Sequence, residues 1–363
     1  MGRPSSPRTT NSTPARRAAF AAAPWLLMVV ALVAMYFYHR QTNDPIERGQ
    51  QINAEAWEAS YLERGATPPP SGPREGYWGK RLGPNVRDER LGWYTAAVSI
   101  PGLVEIETDG TQAWLPAKPA RRRLLIVGAS VAFGAYASSI DKSYFAVLGR
   151  ELERQGLPTE IRVFAAGAWK STQEIAALEL ELSRRKPDLV VCLSGLNDLT
   201  IGGTAQTLFT QPVVLLDGTT ASHDYHAGDF QDRVQLFLKN MRQAAVSCQT
   251  AGCELVVALQ PSLAEQSHRT PIEEELLRGA LGSRGWHQRD FDQSYASLRS
   301  GLSKMQGKTV HFVDYSRLFA EQTATTFSDL WHFSDYGHET LGLRLAQDVL
   351  PLLRDSRAPP REE

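Results

Sequence analysis

The spacing of apolar residues changes several times along the chain, and the changes divide it. Between 121 and 356, short unbroken apolar runs alternate with longer segments whose apolar residues recur every three or four positions. The runs at 124–127, 161–165, 189–194, 255–260 and 310–313 predict strands, and the segments at 143–155, 172–186, 230–251, 292–306 and 337–353 predict helices. Runs without polar alternation belong to strands covered on both faces. Repeated strand–helix units imply a parallel sheet with right-handed crossovers. The expected fold is α/β, a flavodoxin-like three-layer α/β/α sandwich around a five-stranded parallel sheet. Two stretches, 201–229 and 262–290, break the rhythm. Each follows a strand, so each is expected as a long loop overhanging the carboxyl edge of the sheet, where open sheets bind ligands.

The pattern before residue 121 is different. Residues 76–120 hold Tyr77, Trp78, Trp93, Tyr94 and Trp114 among glycines and prolines. A strand over 98–106 and a hairpin-type turn at Asp109-Gly110 predict a small β-rich preface packed against the main domain. Its aromatic residues suit either a small hydrophobic core or a sugar-binding face, and the core is the commoner use. Residues 39–75 are polar, helix-prone over 46–64, and end in a proline-rich run, which predicts a semi-rigid linker.

Residues 18–38 carry no charged side chain over 21 positions, enough for a helix to cross a bilayer. Trp25 lies near one end and Tyr36, Phe37 and Tyr38 at the other. Arg3, Arg8, Arg16 and Arg17 precede the span, whereas Arg40 and Arg48 beyond it are interleaved with Asp44 and Glu47. The expectation is an uncleaved, single-pass transmembrane helix with a disordered cytoplasmic tail (1–17), and with the remainder periplasmic or extracellular. A cleaved signal peptide and a twin-arginine signal are the rival readings. The first lacks a small-residue cleavage site, and the second has little beyond Arg16-Arg17. Residues 357–363 form a short tail.

The chain has 363 residues and a formal net charge of −1, which gives no basic footprint for nucleic acid. Cys192, Cys248 and Cys253 are too few for a disulfide scaffold, although Cys248 and Cys253 flank a turn and could pair. No metal or cofactor is expected. His223, Asp224, His226 and Asp229 match no metal-ligand spacing and read as a solvated loop, and no phosphate-binding G-x-x-x-x-G-K motif occurs.

Candidate chemistry falls on one sheet edge. The first strand of the main domain ends in Gly128-Ala129-Ser130, followed by a helix-like segment. The third is followed by Gly195-Leu196-Asn197-Asp198, and the fifth by Asp329-Leu330-Trp331-His332 just before the last helix. Acyl chemistry needs a hydroxyl, a base for its proton, a group to orient the base, and donors for the developing oxyanion. Ser130, His332 and Asp329 supply the first three. An Asp three residues before a His in a loop can reach Nδ1 and leave Nε2 for the serine. The Asn197 amide and the Ser130 backbone N–H can serve the oxyanion, and a helix starting after Ser130 would favour negative charge there. Ser130 as a simple helix cap and His332 as a surface histidine are the bland alternatives; His338, inside the last helix, reads as exposed. No G-x-S-x-G elbow surrounds Ser130.

Over 121–356 these three blocks resemble the SGNH or GDSL hydrolases, and 88–93 with Asp109-Gly110 looks like the preface of their membrane-anchored members. The resemblance implies a serine esterase or acyl-transfer enzyme whose substrates are small-molecule or glycan esters, such as O-acyl groups of envelope glycans, or lipid esters. Two departures stand out. Ala129 replaces the usual Asp, and the second block, at 165–174, lacks the usual glycine at either position counted for it, Ala168 or Lys170. Its one glycine, Gly167, is the residue assigned as second backbone donor. These departures motivate an alternative from another class, a weakened scaffold binding envelope glycan or a partner protein.

Overall fold

The computed structural model describes residues 45–69, 85–200, 213–214, 220–221 and 230–356. The expected tail at 1–17, the expected membrane span at 18–38, most of the 201–229 stretch and the 223–229 cluster lie outside these residues. Among the described residues no helix is long and apolar enough to cross a membrane. The chain divides into two compact units, 1–48 and 49–363, and all that follows concerns the second.

Six strands form its main sheet: β1 (Gln112–Trp114), β2 (Arg122–Gly128), β3 (Thr159–Ala165), β4 (Leu189–Ser194), β5 (Glu254–Leu259) and β6 (Val310–Asp314). Their order is β6-β5-β4-β2-β3-β1. The five strands read from the apolar runs are all parallel and in the flavodoxin-like order. The expected five-stranded sheet is nevertheless one strand short. β1 comes from the preface and pairs antiparallel to β3, with Gln112 opposite Val163 and Trp114 opposite Ile161. Three residues are too few to show a pattern in sequence. Trp114 covers Gly149, where an added Cβ would stand 2.3 Å from the indole.

The helices are α1 (Pro45–Leu62), α2 (Tyr144–Arg154), α3 (Ser171–Arg185), α4 (Leu196–Thr200), α5 (Phe230–Ala251), α6 (Pro271–Arg284), α7 (Gln288–Ser303) and α8 (Asp335–Asp355). α2 packs beside α8, and α3, α5 and α7 form a second group. Strands β2 and β4 are almost wholly buried between these layers. Burial of such runs removes several side chains from water, each worth about 1.5–3 kcal/mol.

Three expectations are corrected here. The stretch 262–290 is not a loop. It holds a short 3-10 turn (Leu263–Glu265) and α6, which begins with a capping box between Thr270 and Glu273 and Pro271 at its first position. No helix follows Ser130: residues 130–136 make successive tight turns, with Phe133 N–H bonded to Ala129 O and Ala135 N–H to Ser130 O, and α2 starts only at Tyr144. The helix-prone part of the linker is helical, but from Gly49 onward it belongs to the compact unit. Trp57 and Tyr61 bury their rings, at 1% and 5% exposure. Arg64, just past α1, donates to Thr325 O, and the Glu63 carboxylate accepts from Thr325 N–H. Two preface hairpins (Asn85–Asp88 with Gly92–Thr95, and Val98–Ile100 with Val104–Ile106) complete the unit.

Candidate active site

Strands β3, β2 and β4 end side by side. Gly128 lies in register with Ala165 on one side and Leu193 on the other. A Cβ at Gly128 would meet Leu193 O at 2.4 Å, so only glycine allows this approach. The segments carrying Ser130, the 166–170 turn and Asn197 therefore leave the sheet next to one another.

The base arrives on the loop before α8. Phe327 and Phe333 pair as an isolated antiparallel bridge, and Ser328 N–H bonds to His332 O at 2.8 Å. Phe319 packs edge-on against both rings. Within this closed loop Asp329 Oδ1 accepts the N–H groups of Trp331 and His332, at 2.7 and 2.6 Å. Its Oδ2 lies 2.7 Å from His332 Nδ1, and His332 Nε2 lies 2.8 Å from Ser130 Oγ. Two backbone donors suit an ionised Asp329. A charged carboxylate at Nδ1 selects the tautomer with the proton there, leaving the Nε2 lone pair on the serine hydroxyl. The loop is clamped from outside: Glu273 of α6 accepts the N–H groups of Thr326 and Phe327, at 2.9 and 3.0 Å.

Among the described residues, the backbone N–H of Ser130 has no hydrogen-bond acceptor, and neither has that of Ala168. Ala168 stands at φ +63°, the left-handed conformation in which glycine is the usual choice. Gly167 does not take it, and its carbonyl accepts from the Trp93 indole at 3.2 Å. The left-handed position of this turn is thus filled by Ala168, at a cost of about 1–2 kcal/mol for a non-glycine residue. The Trp169 indole returns a bond to Trp93 O at 2.8 Å, so the preface locks this turn from both ends. Asn197 Nδ2 donates to Trp169 O at 2.9 Å, which ties the third block to the second and uses one of its two N–H groups.

Ala129 is 2% exposed and packs with Leu91, Trp93, Phe164, Ala166 and Trp169. This apolar cluster explains the absence of the usual acid. An aspartate here would lie among indole and phenyl rings. The cluster also shows that Trp93 serves as core.

Beside the site, Asp198 accepts both the hydroxyl and the N–H of Ser171, and Ser194 donates to Glu174 at 2.8 Å. Burial pushes Asp198 up to about 6. Glu174 is raised well above the usual carboxylate range by burial and then by the Asp198 charge. His338 is fully buried, contrary to expectation, because α8 turns that face inward; its Nε2 bonds to Ala135 O at 2.7 Å and supports the turn after Ser130. Cys248 and Cys253 are free, buried thiols. Among the described residues no cluster of His, Cys, Asp or Glu is suited to hold a metal ion.

Sequence reasoning missed Tyr136, whose ring stacks on His332, and α1, which supports it through Trp57. Neither has a local motif; both depend on contacts between residues far apart in the chain.

No protein-family model matches this sequence, and no curated protein matches it. Solved structures show a likeness. A variant of the acetyl-xylooligosaccharide esterase from Geobacillus Stearmophilus is 15% identical, with a TM-score of 0.44 over 63% of this chain and 94% of its own. The lipase/acylhydrolase from Enterococcus faecalis is 15% identical, at TM-score 0.43 over 67% and 100%. The family 3 carbohydrate esterase of Clostridium thermocellum is 17% identical, at TM-score 0.42 over 64% and 97%. These neighbours are esterases and acylhydrolases; likeness at this level carries no argument about the chemistry of this chain, which rests on its own geometry.

Proposed function

We propose that this chain is a serine esterase or acyl-transfer enzyme. One observation carries the reading: the unbroken hydrogen-bond chain from Ser130 Oγ through His332 to Asp329, at 2.8 and 2.7 Å. His332 Nε2 takes the Ser130 proton as Oγ attacks an ester carbonyl. The N–H groups of Ser130 and Ala168, with the second N–H of Asn197, receive the oxyanion. His332 then protonates the leaving alcohol, and water or an acceptor alcohol releases the acyl group. The proposed substrates are carboxylic esters, either O-acyl groups of envelope glycans or lipid esters. The connected triad favours catalysis over the scaffold alternative.

The test is labelling of the full-length chain with a fluorophosphonate, together with turnover of p-nitrophenyl acetate. Labelling at Ser130 and turnover that disappears in Ser130→Ala are expected. Turnover that survives this substitution unchanged excludes Ser130, and the absence of both labelling and turnover favours the scaffold.

The reading places residues 18–38 as an uncleaved anchor with the amino terminus in the cytoplasm and the site exported. This part rests on span length and flanking charge. A periplasm-dependent reporter fused after residue 60 is expected to be active; an inactive fusion reverses the topology.

A further inference from the structure

Tyr136 lies six residues beyond Ser130, and the proposed proton transfers do not use it. Its backbone stands at φ +66°, a conformation that bulky residues adopt only when their surroundings hold them there. Four contacts do so. The ring stacks on the His332 imidazole, with centroids 4.9 Å apart and planes 5° from parallel. The hydroxyl faces the Asp329 carboxylate and the Asn53 amide. The Tyr136 carbonyl accepts from the Trp57 indole N–H at 3.2 Å. Asn53 and Trp57 are four residues apart and so share one face of α1.

We propose that Tyr136 is a positioning residue for the His332–Asp329 pair, held from α1 by Asn53 and Trp57. The proposal rests on the reading of Ser130, His332 and Asp329 as a catalytic triad. A hydrogen bond to Asp329 fixes one edge of the imidazole but leaves the ring free to rock about that axis. The stacked phenol fixes its plane, so Nε2 keeps its aim at Ser130 whether or not it carries the proton. The hydroxyl acts on Asp329. By donating to the carboxylate it would drain part of the charge that attracts the imidazolium, so its removal should favour the imidazolium. A base works best with its pKa near the working pH.

A charged group touching His332 is Asp329, on its own loop. From α1 the facing side chains are Asn53 and Trp57, both neutral. From α8 the Asp335 carboxylate is engaged by the N–H and hydroxyl of Ser138, at 2.7 and 2.6 Å. From the turn after β2 the titratable groups are Ser130 and Tyr136. Loss of the Tyr136 hydroxyl is therefore expected to favour the imidazolium form of His332.

The experiment uses the full-length chain as wild type, Tyr136→Phe, Tyr136→Leu and Trp57→Phe. The titration of His332 is followed by ring-nitrogen NMR, with His332→Gln for assignment, and the pH profile of p-nitrophenyl acetate turnover is followed in parallel. Tyr136→Phe keeps the stack and loses the hydroxyl; its His332 pKa and the acid limb of kcat are expected to rise by about half a unit, with KM within about twofold of wild type. Tyr136→Leu loses both contacts, and a fall in kcat of about 50-fold is expected. Trp57→Phe leaves the phenol in place and is expected to lower kcat by about threefold. An unchanged His332 titration and acid limb in Tyr136→Phe overturn the role of the hydroxyl. Full kcat in the folded fraction of Tyr136→Leu, with only its melting temperature lowered, overturns positioning altogether. Should the wild type cleave no ester, the serine-esterase reading fails separately, and the NMR titration still decides whether Tyr136 holds the pair.

Discussion

At the amino end of the parallel strands, Arg123, Arg162, Arg184 and Arg185 surround a cleft of about 160 Å³. Glu107, Asp109, Glu160 and Glu181 pair with them. The carboxyl end is charged as well, with Glu265, Arg299, Asp314 and Arg317 paired beyond β5 and β6, but the polar groups around the serine are arranged differently. Ser130, His332, Asp329 and Asn197 make a short chain of hydrogen bonds beside backbone donors that have no acceptor within the described residues. The amino-end cleft has its charges paired; the carboxyl end beside Ser130 has the unspent valence. Paired ions at a partly exposed surface contribute little and invite no ligand. Donors held in place without a partner are what a developing oxyanion requires. Charge alone would not have distinguished the two ends of the sheet.

Substitutions test this contrast, beginning at the serine. Ser130→Ala is expected to lower kcat/KM for p-nitrophenyl acetate by at least about 10³-fold, equivalent to about 4 kcal/mol of transition-state stabilisation. His332→Gln should lose nearly as much, and the double variant little more, because the two act as one unit. Equal and additive losses would break that unit.

Ala129→Asp restores the usual acid in the Gly-x-Ser turn yet is expected to harm this protein. Its carboxylate would enter the cluster of Trp93, Phe164 and Trp169. Chemical denaturation should show a loss of about 3 kcal/mol at neutral pH, smaller at pH 4, where the group can be protonated.

The buried carboxyl pair gives a third test, with its sign fixed by linkage. Glu174 and Asp198 both have folded pKa values raised above their unfolded ones, by burial first. Their contribution is therefore fully present below pH 4 and is lost as pH rises through the folded values. Each group loses about 1.4 kcal/mol per pH unit between its unfolded and folded pKa. Glu174→Gln removes one titration and should flatten the decline of stability between pH 5 and 7. An identical slope in the variant would show that Glu174 has no raised titration.

The smallest effect is expected at the amino end. Arg185 pairs with Asp109 and Glu181 and is about a quarter exposed. Arg185→Ala should cost at most about 1 kcal/mol and leave esterase kinetics unchanged. A large loss of activity there would dissolve the contrast between the two ends.

The parallel core was legible from the sequence because its strands are covered on both faces, and such burial leaves unbroken apolar runs at 124–127, 189–194 and 255–260. The helix at 230–251 was legible end to end from its apolar period. α6 was not, since its signal is a capping box in a polar stretch rather than a strong apolar stripe. β1 was not, because three residues carry no period. Of the site, Ser130, Asn197, Asp329 and His332 could be read from short motifs in the right order. Which residue of the 167–170 turn supplies the second donor was not legible, because nothing in sequence announces an alanine at positive φ. Glycine marks that conformation, and here Gly167 stands one residue away from it.

The sequence by itself therefore determined the layers, the strand ends and which side chains could do chemistry, because burial and local hydrogen bonding leave periodic or short-range traces. Tertiary structure alone decided how those side chains are held. Trp93 locks the 166–170 turn across some seventy residues, and α1 reaches Tyr136 across 79. Gln112 of β1 supports the turn after Ser130 through Phe133 O. Such contacts depend on the closing of long loops, and a chain records no pattern for a partner that only folding brings near.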